Sequence, residues 1–186
     1  MGPTAAVIVA GGAGRRLGGA DKPELRIGDR TLLQIALEAV GSADTVVVGP
    51  ERAVPVGVRQ AREQPPGGGP AAALAAGVLE LRPAADALVA VLAADQPGVT
   101  AALLARLSEQ ARLRRTGVVA VDPDGRRQYL LGVFPAGPLL ARCAAAQWSG
   151  RRLGDLLDPL VGAELPVGAE EAADIDTPQD LDRWRS

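Results

Sequence analysis

One lysine stands among nineteen arginines in this 186-residue chain, and it falls inside the segment Ala10-Gly11-Gly12-Ala13-Gly14-Arg15-Arg16-Leu17-Gly18-Gly19-Ala20-Asp21-Lys22-Pro23. Glycines let backbone N–H groups approach a phosphate closely, and the cations Arg15, Arg16 and Lys22 would neutralise it. Two familiar phosphate loops do not fit. A P-loop needs Lys and then Ser or Thr directly after its second glycine, whereas Gly14 is followed by Arg15 and Gly19 by Ala20 and Asp21. The dinucleotide fingerprint needs a glycine at position 17, which is Leu17. The alternative is a surface loop whose charges are solvated. The placement of the only lysine inside the segment favours phosphate.

Other chemistries are excluded by composition. The chain has no histidine and a single cysteine, so His-ligated metals, Ser-His and Cys-His nucleophiles, thiolate zinc sites and intrachain disulfides all fall away. Carboxylates, Lys, Arg and backbone must do any catalysis. Asp95 closes the apolar run Ala87 to Ala94, and Pro97 turns the chain away. A carboxylate there suits Mg²⁺, which takes one or two protein carboxylates plus phosphate oxygens and water; a turn or cap Asp is the alternative, and the phosphate-type loop in the same sheet favours the metal. Asp176-Thr177-Pro178 reads as a helix start that either residue could cap. Cys143, among alanines on an expected helix, reads as a small buried residue.

The elements that must position these groups are legible as runs and spacings. Ala5 to Ala10, Thr45 to Val48, Ala87 to Leu92 and Val118 to Val121 are apolar without alternation, which indicates strands buried on both faces of a parallel sheet. Thr31 and Gln34 form a capping box opening a helix to about Val40. Pro70 suits the first turn of a helix to about Leu81, and Thr100 caps a third reaching Arg115. Arg127 to Phe134 is a further strand, antiparallel in this reading. Strands alternating with helices give an open α/β sheet whose ligands lie beyond the strand C-terminal ends.

The whole of 1–186 is expected to form one three-layer α/β domain with an open, mostly parallel sheet. Thirty-five alanines against four aromatic residues predict thin, closely packed elements. A net charge of −2 offers none of the basic excess that nucleic-acid binders use. The longest uncharged apolar run is too short to span a bilayer, and no signal peptide is evident, so a cytoplasmic protein without membrane or nucleic-acid partners is expected.

Gly11-Gly12-x-x-x-Arg15-x-x-Gly18-x-x-Asp21-Lys22-Pro23 behind an N-terminal strand resembles the signature of MobA-like nucleotidyltransferases, the molybdenum cofactor guanylyltransferase family. Ala94-Asp95-Gln96-Pro97, Gly67-Gly68-Gly69-Pro70, Tyr129 to Phe134, Gly150 to Leu157 and Asp174 to Leu181 extend the resemblance over nearly the whole chain. It implies a Rossmann-like fold of the nucleotide-diphospho-sugar transferase type and transfer of GMP from GTP to molybdopterin, with Mg²⁺ as cofactor and other cofactor-biosynthesis or acceptor proteins as further partners. The resemblance puts the phosphates on Ala10, Gly11, Gly12 and Gly14. Arg15 would lie on the leaving pyrophosphate, Lys22 near the α-phosphate, Asp95 on the metal, and Asp174 or Asp176 beside it. Asp176 is taken as the second metal residue, and Gly69 as part of the nucleotide site. For the base, Gln64 stands where an Asp is common, and Glu63 could replace it. A cytidylyltransferase of the same cofactor, a sugar-1-phosphate nucleotidyltransferase and a non-catalytic nucleotide-binding domain are the alternatives.

Overall fold

The computed structural model describes residues 2–11 and 21–185. Its main sheet contains β1 (Ala5–Val9), β2 (Asp44–Val48), β3 (Arg59–Ala61), β4 (Leu88–Ala93), β5 (Gly117–Val121), β6 (Arg127–Pro135) and β7 (Val161–Pro166). Across the sheet the order is β3-β2-β1-β4-β6-β5-β7. Only β6 runs antiparallel to its neighbours β4 and β5; every other pairing is parallel.

The unbroken apolar runs are explained by two buried faces. Ala6 and Ile8 of β1, with Leu88, Ala90 and Leu92 of β4, join one core with α1 (Leu32–Val40), α3 (Ala101–Arg114) and Leu181 of α6 (Pro178–Arg185). Their neighbours Ala5, Val7, Val9, Val89 and Val91 join a second core with α2 (Pro70–Leu81), α4 (Ala136–Ala144) and α5 (Leu153–Leu157). The period-two alternation of a strand is present, but both destinations are dry, so it leaves no polar trace in the sequence.

Alanine and glycine set the spacing, as the composition implies. Ala71, Ala72, Ala73 and Ala75 of α2 are buried. A Cβ on Gly77 would stand 2.5 Å from Val7 Cγ1 and 2.7 Å from Val48 Cγ2. The lone phenylalanine, Phe134, is fully buried in room left by two glycines: a Cβ on Gly117 would reach its Cδ1 at 2.4 Å, and one on Gly132 its Cε2 at 3.0 Å.

The expected caps are present. Gln34 N–H donates to Thr31 Oγ1 at 3.1 Å while Thr31 N–H donates to Gln34 Oε1 at 2.7 Å. Leu103 N–H donates to Thr100 Oγ1 at 3.1 Å. At the last helix Thr177 is the capping residue, its Oγ1 accepting from Asp180 N–H at 3.2 Å. That frees the Asp176 carboxylate for a different partner.

Strand order decides where a ligand can sit. Along the chain, β1, β2 and β3 step in one direction, and β4 resumes on the other side of β1. The crevice at such a reversal, beyond the carboxyl ends of the strands, is where open α/β sheets bind ligands. Val9 and Ala93 end the two strands that flank it. Ala94 N–H donates to Val9 O at 2.9 Å and Ala10 N–H to Val48 O at 2.7 Å, so the ladder carries both exits to the same rim.

Candidate active site

A pocket of about 610 Å³ opens at this reversal, lined from β1 by Val9, Ala10 and Gly11 and from β4 by Ala93, Ala94 and Asp95. Lys22 and Pro23 close one side, and Glu63, Gly67, Gly69 and Pro70 another. Ala10, Gly11, Lys22, Glu63, Gly69 and Asp95 are thereby gathered in one cavity. Gly12, Gly14 and Arg15 lie outside the described residues.

Lys22 is the electrostatic centre of the rim. Its Nζ donates to Asp176 Oδ1 at 2.5 Å and to Asp95 Oδ2 at 3.2 Å, joining residues 154 and 73 positions away in sequence. Burial works to lower its pKa, but the bonds and charges of Asp176 and Asp95 outweigh it, and the net shift is upward from 10.5. Lys22 is therefore charged throughout the neutral range. Any stability its pairing contributes is complete below the ordinary lysine value and is lost only as pH rises past the elevated one.

Asp176 reaches the lysine because of how the preceding segment is held. Ile175 N–H donates to Asp95 O at 3.0 Å, and the Ile175 side chain is fully buried. One turn away, Gly98 lies so close to residue 170 that a Cβ would stand 1.9 Å from Glu170 O. Backbone on both sides leaves nothing that can yield. Gly98→Ala is accordingly expected to cost about 1–3 kcal/mol, at roughly 2–4 °C of melting temperature per kcal/mol for a chain of this size. It should also lower turnover in the fraction that remains folded, because Asp176 is displaced from Lys22. A thermal melt identical to the parent's would disprove the close approach.

Asp174 completes a concentration of negative charge. Its carboxyl is pushed up to about 6 by surrounding protein and by the like charges of Asp95 and Asp176, with the Gln96 side chain and Lys22 acting the other way. The residue is exposed by area, so the like charges, which need no burial, are the firmer cause. Gln96 itself is buried, and its Oε1 accepts from Ala93 N–H at 3.4 Å.

The donor set fits a hard divalent cation. Two carboxylates already meet at one cationic atom, and the excess negative charge is what Mg²⁺ would offset. Among the described residues no three acidic, His or Cys side chains form a ready metal cage; Mg²⁺ commonly does without one, completing its shell with phosphate oxygens and water.

Of the two residues considered for the base, Glu63 lines the pocket and Gln64 does not. Glu63 Oε1 accepts from Gly67 N–H at 2.9 Å, which ties the turn before α2. Leu130 of β6 also lines the pocket. Trp148 is a core residue, 3% exposed, with Nε1–H donating to Cys143 O at 3.1 Å and the guanidiniums of Arg142 and Arg151 over its ring at 5.1 and 5.6 Å. Cys143 is buried as expected, and burial pushes its thiol up to about 12. Two arginines escaped the sequence reading. Arg62 lines the pocket, and Arg52 donates to the carbonyl of the lining residue Ala10. Neither had a signal that could separate it from the seventeen other arginines, because the strand that places them, β3, is only three residues long.

An open α/β sheet with a crevice of this size at its reversal, walled by an ammonium and facing carboxylates, is of the class that binds its ligands at the switch point beyond the strand ends. Comparison with known proteins narrows this: the model of the MobA-like NTP transferase domain matches residues 6–163. The chain belongs to that family and is a nucleotidyltransferase. The molybdenum cofactor guanylyltransferase of Rhodopseudomonas palustris (strain HaA2) is 32% identical over 95% of this chain and 88% of its own length. That of Bradyrhizobium sp. (strain ORS 278) is also 32% identical, over 69% of this chain and 65% of its own length, just under two thirds. The solved structure of molybdopterin-guanine dinucleotide biosynthesis protein A from Archaeoglobus fulgidus superposes with a TM-score of 0.72 at 20% identity, covering 97% of this chain and 96% of that one. The 2-C-methyl-D-erythritol 4-phosphate cytidylyltransferase of Thermus thermophilus superposes with a TM-score of 0.69 at 24% identity, covering 100% of this chain and 98% of that one. Both structural likenesses are of fold.

Proposed function

We propose that this chain transfers GMP from GTP to the terminal phosphate of molybdopterin and releases pyrophosphate. The observation that carries the reading is the convergence of Lys22, Asp95 and Asp176 at the rim of the pocket that Ala10 and Gly11 line. The guanylyltransferase relatives supply the nucleotide and the acceptor.

In the reaction a phosphate oxygen of the acceptor forms a bond to the α-phosphorus while the bond from that phosphorus to the bridging oxygen breaks, and pyrophosphate carries the electron pair away. Positioning and charge neutralisation are the main tasks, so a histidine base is unnecessary. Backbone N–H groups at Gly11, Gly12 and Gly14 cradle the phosphates, and Arg15 neutralises the leaving group. Lys22 would stabilise the charge that grows on the α-phosphate oxygens. Asp95 and Asp176 would hold Mg²⁺, which when bound supplies Lewis-acid neutralisation of those oxygens.

Glu63 carries the choice of base. A carboxylate can accept from both N1–H and the N2 amino group of guanine, and an oxygen already accepting Gly67 N–H keeps a second lone pair. Gln64, with one acceptor and one donor, lies off the pocket. A site built to hydrogen-bond one base rejects others because unpaired buried groups are costly. GTP should therefore exceed ATP and CTP in kcat/KM by at least roughly tenfold, and Glu63→Ala should erode that preference. The test is pyrophosphate release from each of the four triphosphates against molybdopterin and sugar phosphates. A preference for CTP would assign the chain to cytidylyl transfer, and nucleotide binding without release under any pairing would leave a binding module.

A further inference from the structure

Arg52 is the least expected charge in the molecule. It follows the turn Gly49-Pro50-Glu51 at the end of β2, yet its side chain is only 4% exposed. Nη1 donates to Asp21 Oδ2 at 2.9 Å, and Nη2 to Ala10 O at 3.0 Å and to Asp21 Oδ1 at 3.4 Å. Glu24 Oε1 lies 3.6 Å from Nη1. From behind, Arg52 N–H donates to Gln60 Oε1 of β3 at 3.0 Å. A buried guanidinium gives up its hydration and must be paired to persist; here Nε has no hydrogen-bond partner among the described residues, and the two Nη atoms are directed to two points of the chain. Ala10 is where the glycine-rich segment leaves β1, and Asp21 is where it returns.

The charge arrangement gives this pairing a consequence for Lys22. Within three residues of the lysine the chain carries two acids, Asp21 and Glu24, either of which could compete with Asp95 and Asp176 for its ammonium. Arg52 engages both. Lys22 is left to the distant carboxylates at the pocket.

We infer that Arg52 is a positioning residue: it ties the two ends of the glycine-rich segment together and neutralises Asp21, so that Lys22 is directed to Asp95 and Asp176 rather than to its own neighbour. The inference deepens the proposed function and rests on it for the role of Lys22. The planar fork is essential to it, since one guanidinium must serve a carboxylate and a carbonyl at once.

The single lysine makes the test direct. Protein labelled with ¹³C at lysine gives one side-chain Cε–Hε cross-peak, which reports Lys22 at fixed neutral pH without substrate. The cross-peak should move in Arg52→Met and return most of the way toward the parent position in Arg52→Met/Asp21→Asn, where the competing acid has lost its charge. Pyrophosphate release should follow the same pattern: kcat falls by about ten- to a hundredfold in the single variant, as for a misplaced catalytic group, with KM for the triphosphate within about threefold, and the double variant regains most of the loss. A purely structural Arg52 would not be rescued by removing one more of its contacts. Arg52→Gln carries the same comparison if the Met variant does not fold. An unmoved cross-peak in a folded Arg52 variant, or a double variant no nearer the parent than the single, overturns the inference. The spectroscopic arm uses no nucleotide or acceptor, so it stands or falls apart from the identity of the substrates.

Discussion

Lys22→Ala is expected to lower kcat by roughly 10²–10³, the loss that follows removal of a single group stabilising transition-state charge. The ammonium is held by Asp176 and Asp95 at the pocket rim, and it is charged at every working pH because its pKa is raised. Lys22→Arg should not restore the rate. Arginine offers a planar fork where the geometry holds a compact point charge between two carboxylates, even though arginine fills every other basic position in the chain. The melting temperature of either variant should stay near the parent's, because the lysine contributes charge at a rim rather than volume to a core. Turnover of Lys22→Ala within a few-fold of the parent would return the residue to an ordinary solvated loop charge.

Asp95→Asn is expected to remove Mg²⁺-dependent turnover, by roughly 10²-fold or more, while circular dichroism and thermal melting barely change. The substitution keeps the shape of the side chain and the backbone carbonyl that accepts from Ile175 N–H, so the 174–177 segment stays docked. What it removes is one of the two carboxylates that meet at Lys22. Titration of activity with Mg²⁺ separates the possibilities: a variant that cannot be saturated has lost a metal residue. One that melts far lower yet works when folded has lost a structural cap, and the metal then lies elsewhere.

Much of this architecture could be read without coordinates because it is held together locally. A capping box is a contact over three residues, so Thr31 and Gln34 announced α1, and Thr100 announced α3. The four apolar runs announced β1, β2, β4 and β5 because a segment buried on both faces takes few polar residues, Thr45 of β2 being the buried exception. Asp95, closing an apolar run, announced one wall of the crevice because strand C-terminal ends are where such sheets bind. β3 and β7 were not legible. The first is three residues long, and the second carries Gly162 and Pro166 with every other residue exposed; both exist because a neighbouring strand offered an unpaired edge.

Other decisions belonged to the tertiary structure alone. Asp176 and Thr177 were equal candidates for the helix cap until packing of Ile175 against the core turned one toward Lys22 and left the other to Asp180. Glu63 and Gln64 were interchangeable until the course of the loop put one in the pocket. Arg52 was one arginine in nineteen until β3 and the turn after β2 set it between Ala10 and Asp21. Residue type set which chemistry was available, through the absence of histidine, the single lysine and the carboxylate closing a buried strand, since residue type and near-neighbour contacts are properties of the chain. Which of those groups meet across 73 and 154 residues was decided by the order of strands in the sheet, because only burial of two apolar faces at once brings such distant segments to a single rim.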